Sequence, residues 1–133
     1  MILRIGICDD VQMNIACLTE HIRHYMASYN VEFEIESFTS GEKLLQAQKE
    51  RPFHILLLDI EMPQMDGHHL TKLIKEDRTL SKIPVILFSS LISEEMRIKG
   101  KQLGADEQLS KPEIGHLVAV MDHLLHQAAE NKA

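Results

Sequence analysis

Ile2-Leu3-Arg4-Ile5-Gly6-Ile7-Cys8-Asp9-Asp10 opens the chain, and His54-Ile55-Leu56-Leu57-Leu58-Asp59 repeats its design near the middle. Each is a short apolar run that ends in carboxylates. Runs of this length with little alternation are the pattern of strands buried on both faces of a parallel sheet. If both strands belong to one open α/β sheet, their carboxyl ends point the same way, and ligands bind such sheets at that edge. Asp9, Asp10 and Asp59 would then converge. Crowded like charges disfavour one another's ionisation, so a cluster of this kind is expected to hold a cation. Hard oxygen donors at this density suit Mg²⁺.

Working outward, the chain alternates strand and helix five times. The first strand is expected over about 3–9, and the first helix over about 12–29. Its apolar stripe is Ile15, Leu18, Ile22, Tyr25 and Met26. A second strand over 32–38 has the uneven pattern of an edge. Thr39-Ser40-Gly41-Glu42 reads as a capping box for a helix to about Lys49, closed by Arg51-Pro52. The third strand is 54–59, and a helix over 67–76 turns Leu70, Leu73 and Ile74 inward. Strand four is 84–89, Ser93 caps helix four, and strand five is about 107–109. A last helix begins near Pro112, with Leu117, Val118, Met121, Leu124 and Leu125 as its buried stripe. Repeated βα units give a doubly wound parallel sheet with right-handed crossovers. The most apolar strands, one, three and four, belong in its centre. The flavodoxin-like order 2-1-3-4-5 meets that requirement and puts the switch point between strands one and three, where the three aspartates lie.

At 133 residues the whole chain, 1–133, is expected to be one domain. No apolar run approaches the roughly 20 residues that span a bilayer. The N-terminus lacks a signal-peptide pattern, so a cytoplasmic location without membrane insertion is expected. A net charge of −6 and the lack of a basic arm argue against direct nucleic-acid binding. Cys8 and Cys17 form no CxxC pair and are read as buried free thiols. His68 and His69 are read as surface residues, since neighbours on a helix point about 100° apart and cannot easily share a metal. Asp66-Gly67 is read as turn chemistry.

Two further residues fall at strand ends. Ser89 follows Val85-Ile86-Leu87-Phe88, and Lys111 follows Glu107-Gln108-Leu109-Ser110 and precedes Pro112. Strand-end Asp-Asp, Asp, Ser and Lys-Pro, in that order, resemble the receiver domain of bacterial response regulators. Asp59-Ile60-Glu61-Met62-Pro63-Gln64-Met65-Asp66-Gly67 is similar to the signature that follows that family's phosphorylated aspartate, and Gly104-Ala105-Asp106 also fits. The resemblance covers essentially the whole chain. It implies that Asp59 is the phosphoacceptor and that Asp10 and Asp59 coordinate Mg²⁺ directly. The backbone carbonyl of Glu61 would be a further ligand, and Asp9 would act partly through water. Lys111 would pair with Asp59 and then with a phosphoryl oxygen, aimed by a cis bond before Pro112. Ser89 would donate its hydroxyl to another phosphoryl oxygen.

The same resemblance implies a sensor histidine kinase as phosphodonor and a downstream output protein or tethered output domain as partner, in a two-component or chemotaxis pathway. The signal would leave through the face of helix four, strand five and helix five, with Ser89 and residue 108 as the switch. Receivers commonly carry an aromatic at that strand-five position, and Gln108 departs from the pattern. Glu113 after Lys-Pro and Glu61 two residues past the acceptor are further departures. The first part, to about Glu76, is similar to receivers of LytTR-type transcription regulators. The stretch from Ser81 to about Leu125 is similar to receivers of chemotaxis coupling proteins. A natural intermediate, a degenerate adaptor and a recombinant hybrid all suit this mixture.

Such a chain catalyses its own phosphorylation and dephosphorylation and is not a metabolic enzyme. Ending at Ala133, it reads as a single-domain regulator or as a receiver excised from a longer protein. The alternative from another class is a phosphorylation-independent adaptor, kept alive by Gln108. A dehalogenase-type phosphatase would need an aspartate where Glu61 stands. A flavin site would want a Ser/Thr/Gly-rich loop where Asp9-Asp10 would repel phosphate.

Overall fold

The computed structural model describes residues 2–27, 32–62, 65–89, 92–110, 119–121 and 123–124. Five strands, β1 (Leu3–Cys8), β2 (Phe33–Phe38), β3 (Ile55–Asp59), β4 (Val85–Ser89) and β5 (Glu107–Ser110), alternate with α1 (Gln12–Met26), α2 (Gly41–Glu50), α3 (Gly67–Glu76) and α4 (Glu94–Gln102). All strand pairs are parallel, and the sheet order is β2-β1-β3-β4-β5, as the distribution of apolar runs requires. Every residue of β1, β3 and β4 is buried, whereas β2 and β5 at the edges are only partly covered.

Side chains alternate across a strand, so the sheet divides its apolar residues between two cores. Leu3, Ile5, Ile7, Ile55, Leu57, Ile86 and Phe88 meet Ile15, Leu18 and Ile22 of α1, together with Met121 and Leu124. On the other face, Cys8, Leu56, Leu58, Val85 and Leu87 meet Leu44 of α2 and Leu70 and Ile74 of α3. Burying a Leu or Ile side chain contributes roughly 1.5–3 kcal/mol relative to leaving it exposed, so these two layers supply most of the driving force.

The helix ends follow local chemistry. Ser40 caps α2 by accepting from the Lys43 N–H, so the cap lies one residue beyond Thr39. Asp66 caps α3, accepting from the His69 N–H at 2.8 Å, and Ser93 caps α4. Past Gly104, whose φ of +97° suits glycine, Asp106 accepts from the Val85 N–H and from Lys75 Nζ. It thereby ties the start of β4 to α3.

Two expectations need correction. Cys8 is buried, but Cys17 is exposed. It stands about 100° round the helix from Leu18 and so points away from the stripe that packs on the sheet. His68 is buried, at 4% exposure, where α4 packs against α3 and brings Met96 and Lys99 beside it; His69, the next residue, is exposed as expected. Leu117, Val118 and Leu125 of the expected last stripe lie outside the described residues, while Met121 and Leu124 are buried.

Candidate phosphoacceptor and metal site

β1 and β3 are hydrogen-bonded neighbours, with Cys8 level with Leu58. That register carries Asp9 and Asp59 out of the sheet side by side. One carboxylate oxygen from each of Asp9, Asp10 and Asp59 lies within 4.8 Å of the others. Asp9 is fully buried and Asp59 is 2% exposed, while Asp10 reaches solvent. Asp9 Oδ1 accepts the Val11 N–H at 2.9 Å, which orients it as the chain turns into α1. Asp59 Oδ1 accepts the Glu61 N–H at 3.4 Å. Behind Asp59, α3 begins at Gly67, where a Cβ would stand 2.5 Å from the Asp59 carbonyl oxygen. Only glycine lets the helix come this close, so the Asp66-Gly67 turn fixes the backbone that carries the acid.

The donor set fits a small hard cation. Ligands on Mg²⁺ sit about 2.0–2.1 Å from the ion in an octahedron, so opposite oxygens are about 4 Å apart. A trio within 4.8 Å is close to that spacing. Cys8 is next to the cluster but does not compete as a sulfur ligand. Burial, and then the charges of Asp9, Asp59 and Asp10, push its thiol up to about 12, and Sγ–H points at Met62 Sδ, 3.4 Å away. The site is therefore all-oxygen at neutral pH.

Ser89 ends β4, fully buried, one residue beyond the Asp59–Phe88 pairing. Its hydroxyl donates to Glu61 Oε1. The β4–β5 register pairs Ser89 with Ser110, the residue that precedes Lys111 in the chain. Lys111 and the bond to Pro112 lie outside the described residues. Gln108, on β5 level with Leu87, packs against α4: its Nε2 donates to the Arg97 carbonyl at 2.8 Å. Its Oε1 is buried without a partner.

The structure thus brings together Asp9, Asp10, Asp59, Glu61 and Ser89, and puts Gln108 at a separate seam. The sequence marks Glu61 as an unusual acidic residue beside the acceptor, but not its contact with Ser89, since nothing local links residue 61 to residue 89.

Residues 5–122 match the response regulator receiver domain family. The chain belongs to that family. PleD, a response regulator of Caulobacter vibrioides, is 34% identical to this receiver over 113 residues, 84% of this chain and 23% of that protein. Among solved structures, the BeF3-activated receiver domain of DrrB is 28% identical. It superposes with a TM-score of 0.78, covering 95% of this chain and 99% of that one. The response regulator DrrB of Thermotoga maritima, an OmpR/PhoB homologue, is 27% identical with a TM-score of 0.77, and 54% of its length is covered. The receiver spans 10% and 23% of the lengths of two curated relatives that it matches. No helix among its described residues is long and apolar enough to cross a membrane.

Proposed function

We propose that this receiver is a phosphoacceptor module of a two-component or chemotaxis pathway, and that Asp59 takes the phosphoryl group. The observation that carries this reading is the convergence of Asp9, Asp10 and a buried Asp59 at the switch point of the sheet. A sensor histidine kinase, or a small acyl phosphate, is the donor. An Asp59 carboxylate oxygen forms the new bond to phosphorus. The bond from phosphorus to the donor's nitrogen or oxygen breaks, and the donor leaves with its electron pair. The product is a mixed anhydride.

Such a transfer depends on positioning and on neutralising the phosphoryl oxygens. Asp9, Asp10, Asp59 and the Glu61 carbonyl would hold Mg²⁺, which supplies that neutralisation when bound. Ser89 donates to one phosphoryl oxygen and Lys111 pairs with another. The chain acts as one domain over 1–133 in the cytoplasm, without direct contact to nucleic acid, and signals to an output protein or tethered output domain through the face of α4, β5 and the last helix. Asp59 is the catalytic nucleophile, and the only chemistry is the module's own phosphorylation and dephosphorylation.

A second reading, a phosphorylation-independent adaptor, is favoured by the polar seat of Gln108 where receivers commonly place an aromatic. Intact-mass spectrometry after incubation with acetyl phosphate and Mg²⁺, beside Asp59→Asn, separates the two. A phosphate increment in the wild type, lost in the variant and on chelation, is expected. A folded, Mg²⁺-binding wild type without any increment would leave the adaptor.

A further inference from the structure

The hydroxyl assigned to the phosphoryl group is already engaged. Ser89 is fully buried, and its proton goes to the carboxylate of Glu61. A serine hydroxyl has one proton to donate, so it cannot serve Glu61 and a phosphoryl oxygen at once. Glu61 is exposed, and its own N–H reaches Asp59 Oδ1, so it stands beside the acceptor. Its carboxylate is also a fourth negative charge at the rim of Asp9, Asp10 and Asp59. A carboxylate and a phosphoryl group offer a hydroxyl the same thing, an anionic oxygen acceptor.

We propose that the Glu61 side chain is an internal competitor for the phosphoryl position. It holds Ser89 before transfer, must surrender that hydroxyl when the group arrives, and repels the incoming anion. Glu61 is thus a positioning residue that acts through Ser89 and weakens the site's hold on phosphoryl-like anions. This rests on the phosphoacceptor reading above. In the transfer from acetyl phosphate, the bond between phosphorus and the acetate oxygen breaks, acetate leaves with the electron pair, and Asp59 Oδ bonds to phosphorus. Glu61 forms no bond in that step and only sets how readily the phosphoryl oxygens are received.

The test uses the full chain at saturating Mg²⁺. The dissociation constant of beryllofluoride and the phosphorylation rate with acetyl phosphate are measured for wild type, Glu61→Gln, Glu61→Ala, Ser89→Ala and Glu61→Ala/Ser89→Ala. Both Glu61 variants should bind beryllofluoride about two- to fivefold more tightly and react faster in proportion, the scale of one exposed charge interaction. The gain for Glu61→Gln should shrink as salt rises. In the Ser89→Ala background the Glu61→Ala gain should be smaller, because the competition for the hydroxyl is gone and only the charge effect is left. A merely structural contact would not give this coupling. Unchanged or weaker beryllofluoride binding in both Glu61 variants, with a wild type that binds, overturns the inference alone. A wild type that neither binds beryllofluoride nor accepts phosphate overturns the proposed function, and the inference with it.

Discussion

His68 shows how a single residue can be misread from its neighbours. In a first helical turn beside a second histidine it has the pattern of a solvated side chain, yet it is buried against α4 with Nε2 lacking a hydrogen-bond partner. Burial lowers its pKa below the usual 6.5, and the Lys99 ammonium lowers it further. Asp66 and a hydrogen bond to the Met96 backbone oppose the shift. The folded state therefore favours neutral imidazole, and the unfolded chain binds more protons. Stability from this residue is complete above about pH 6.5 and is lost as pH falls through the depressed folded value. Urea unfolding at about pH 7.5 and 5.5 should show a steeper loss of stability in the wild type than in His68→Gln. Equal slopes would mean that His68 titrates as it does in the unfolded chain.

At the scale of elements, the seam between α4 and β5 is set by one small residue. Gly100 is buried on α4, and a Cβ there would stand 2.5 Å from Gln108 Oε1. The carboxamide of Gln108 fills the space a side chain would need. Its hydrogen bond to the Arg97 carbonyl contributes about 0.5–1.5 kcal/mol, while a buried, unpartnered Oε1 costs about 1–3 kcal/mol. The seat is therefore neutral to slightly unfavourable. Gly100→Ala should expel the Gln108 tip, and alanine in a helix interior gains about 1 kcal/mol over glycine. The expected result is unchanged or slightly higher stability, with loss of exchange protection at the Gln108 side-chain amide by NMR. A loss of more than about 2 kcal/mol would show that the seat binds α4 to β5 more firmly than these terms allow. The departure of Gln108 from an aromatic was visible in the sequence, but its partner was not, because Gly100 has no pattern that points to β5.

For the molecule as a whole, the acidic site opposes the fold that builds it. Two buried carboxylates and one exposed carboxylate are held within 4.8 Å, and their repulsion is relieved only when a cation or proton joins them. A ligand that binds the folded chain alone stabilises it by about 2.7 kcal/mol at one hundred times its dissociation constant. For a domain of this size, that is a rise in melting temperature on the order of 8–10 °C. Thermal melts in Mg²⁺ against chelator should show it. Asp10→Asn should melt higher than wild type in chelator and gain much less from Mg²⁺. An equal Mg²⁺ increment in Asp10→Asn would remove that residue from the proposed metal site.

What the sequence determined by itself was everything governed by period and punctuation. Runs such as His54–Asp59 and Val85–Ser89 name the buried strands, the stripe at Ile15, Leu18 and Ile22 names the packed face of α1, and Asp66-Gly67 and Ser93 start their helices where expected. From those elements the sheet order and the meeting of Asp9, Asp10 and Asp59 follow, because chain connectivity and handedness leave few other arrangements. The tertiary structure alone decided which side chains touch across elements. His68 is buried because α4 lies over it, Gln108 rests on Gly100, and Glu61 takes the hydroxyl of Ser89, 28 residues further along the chain. These contacts depend on ångström-scale packing distances between helices and sheet. Local periodicity carries the direction of a side chain but not what it will meet.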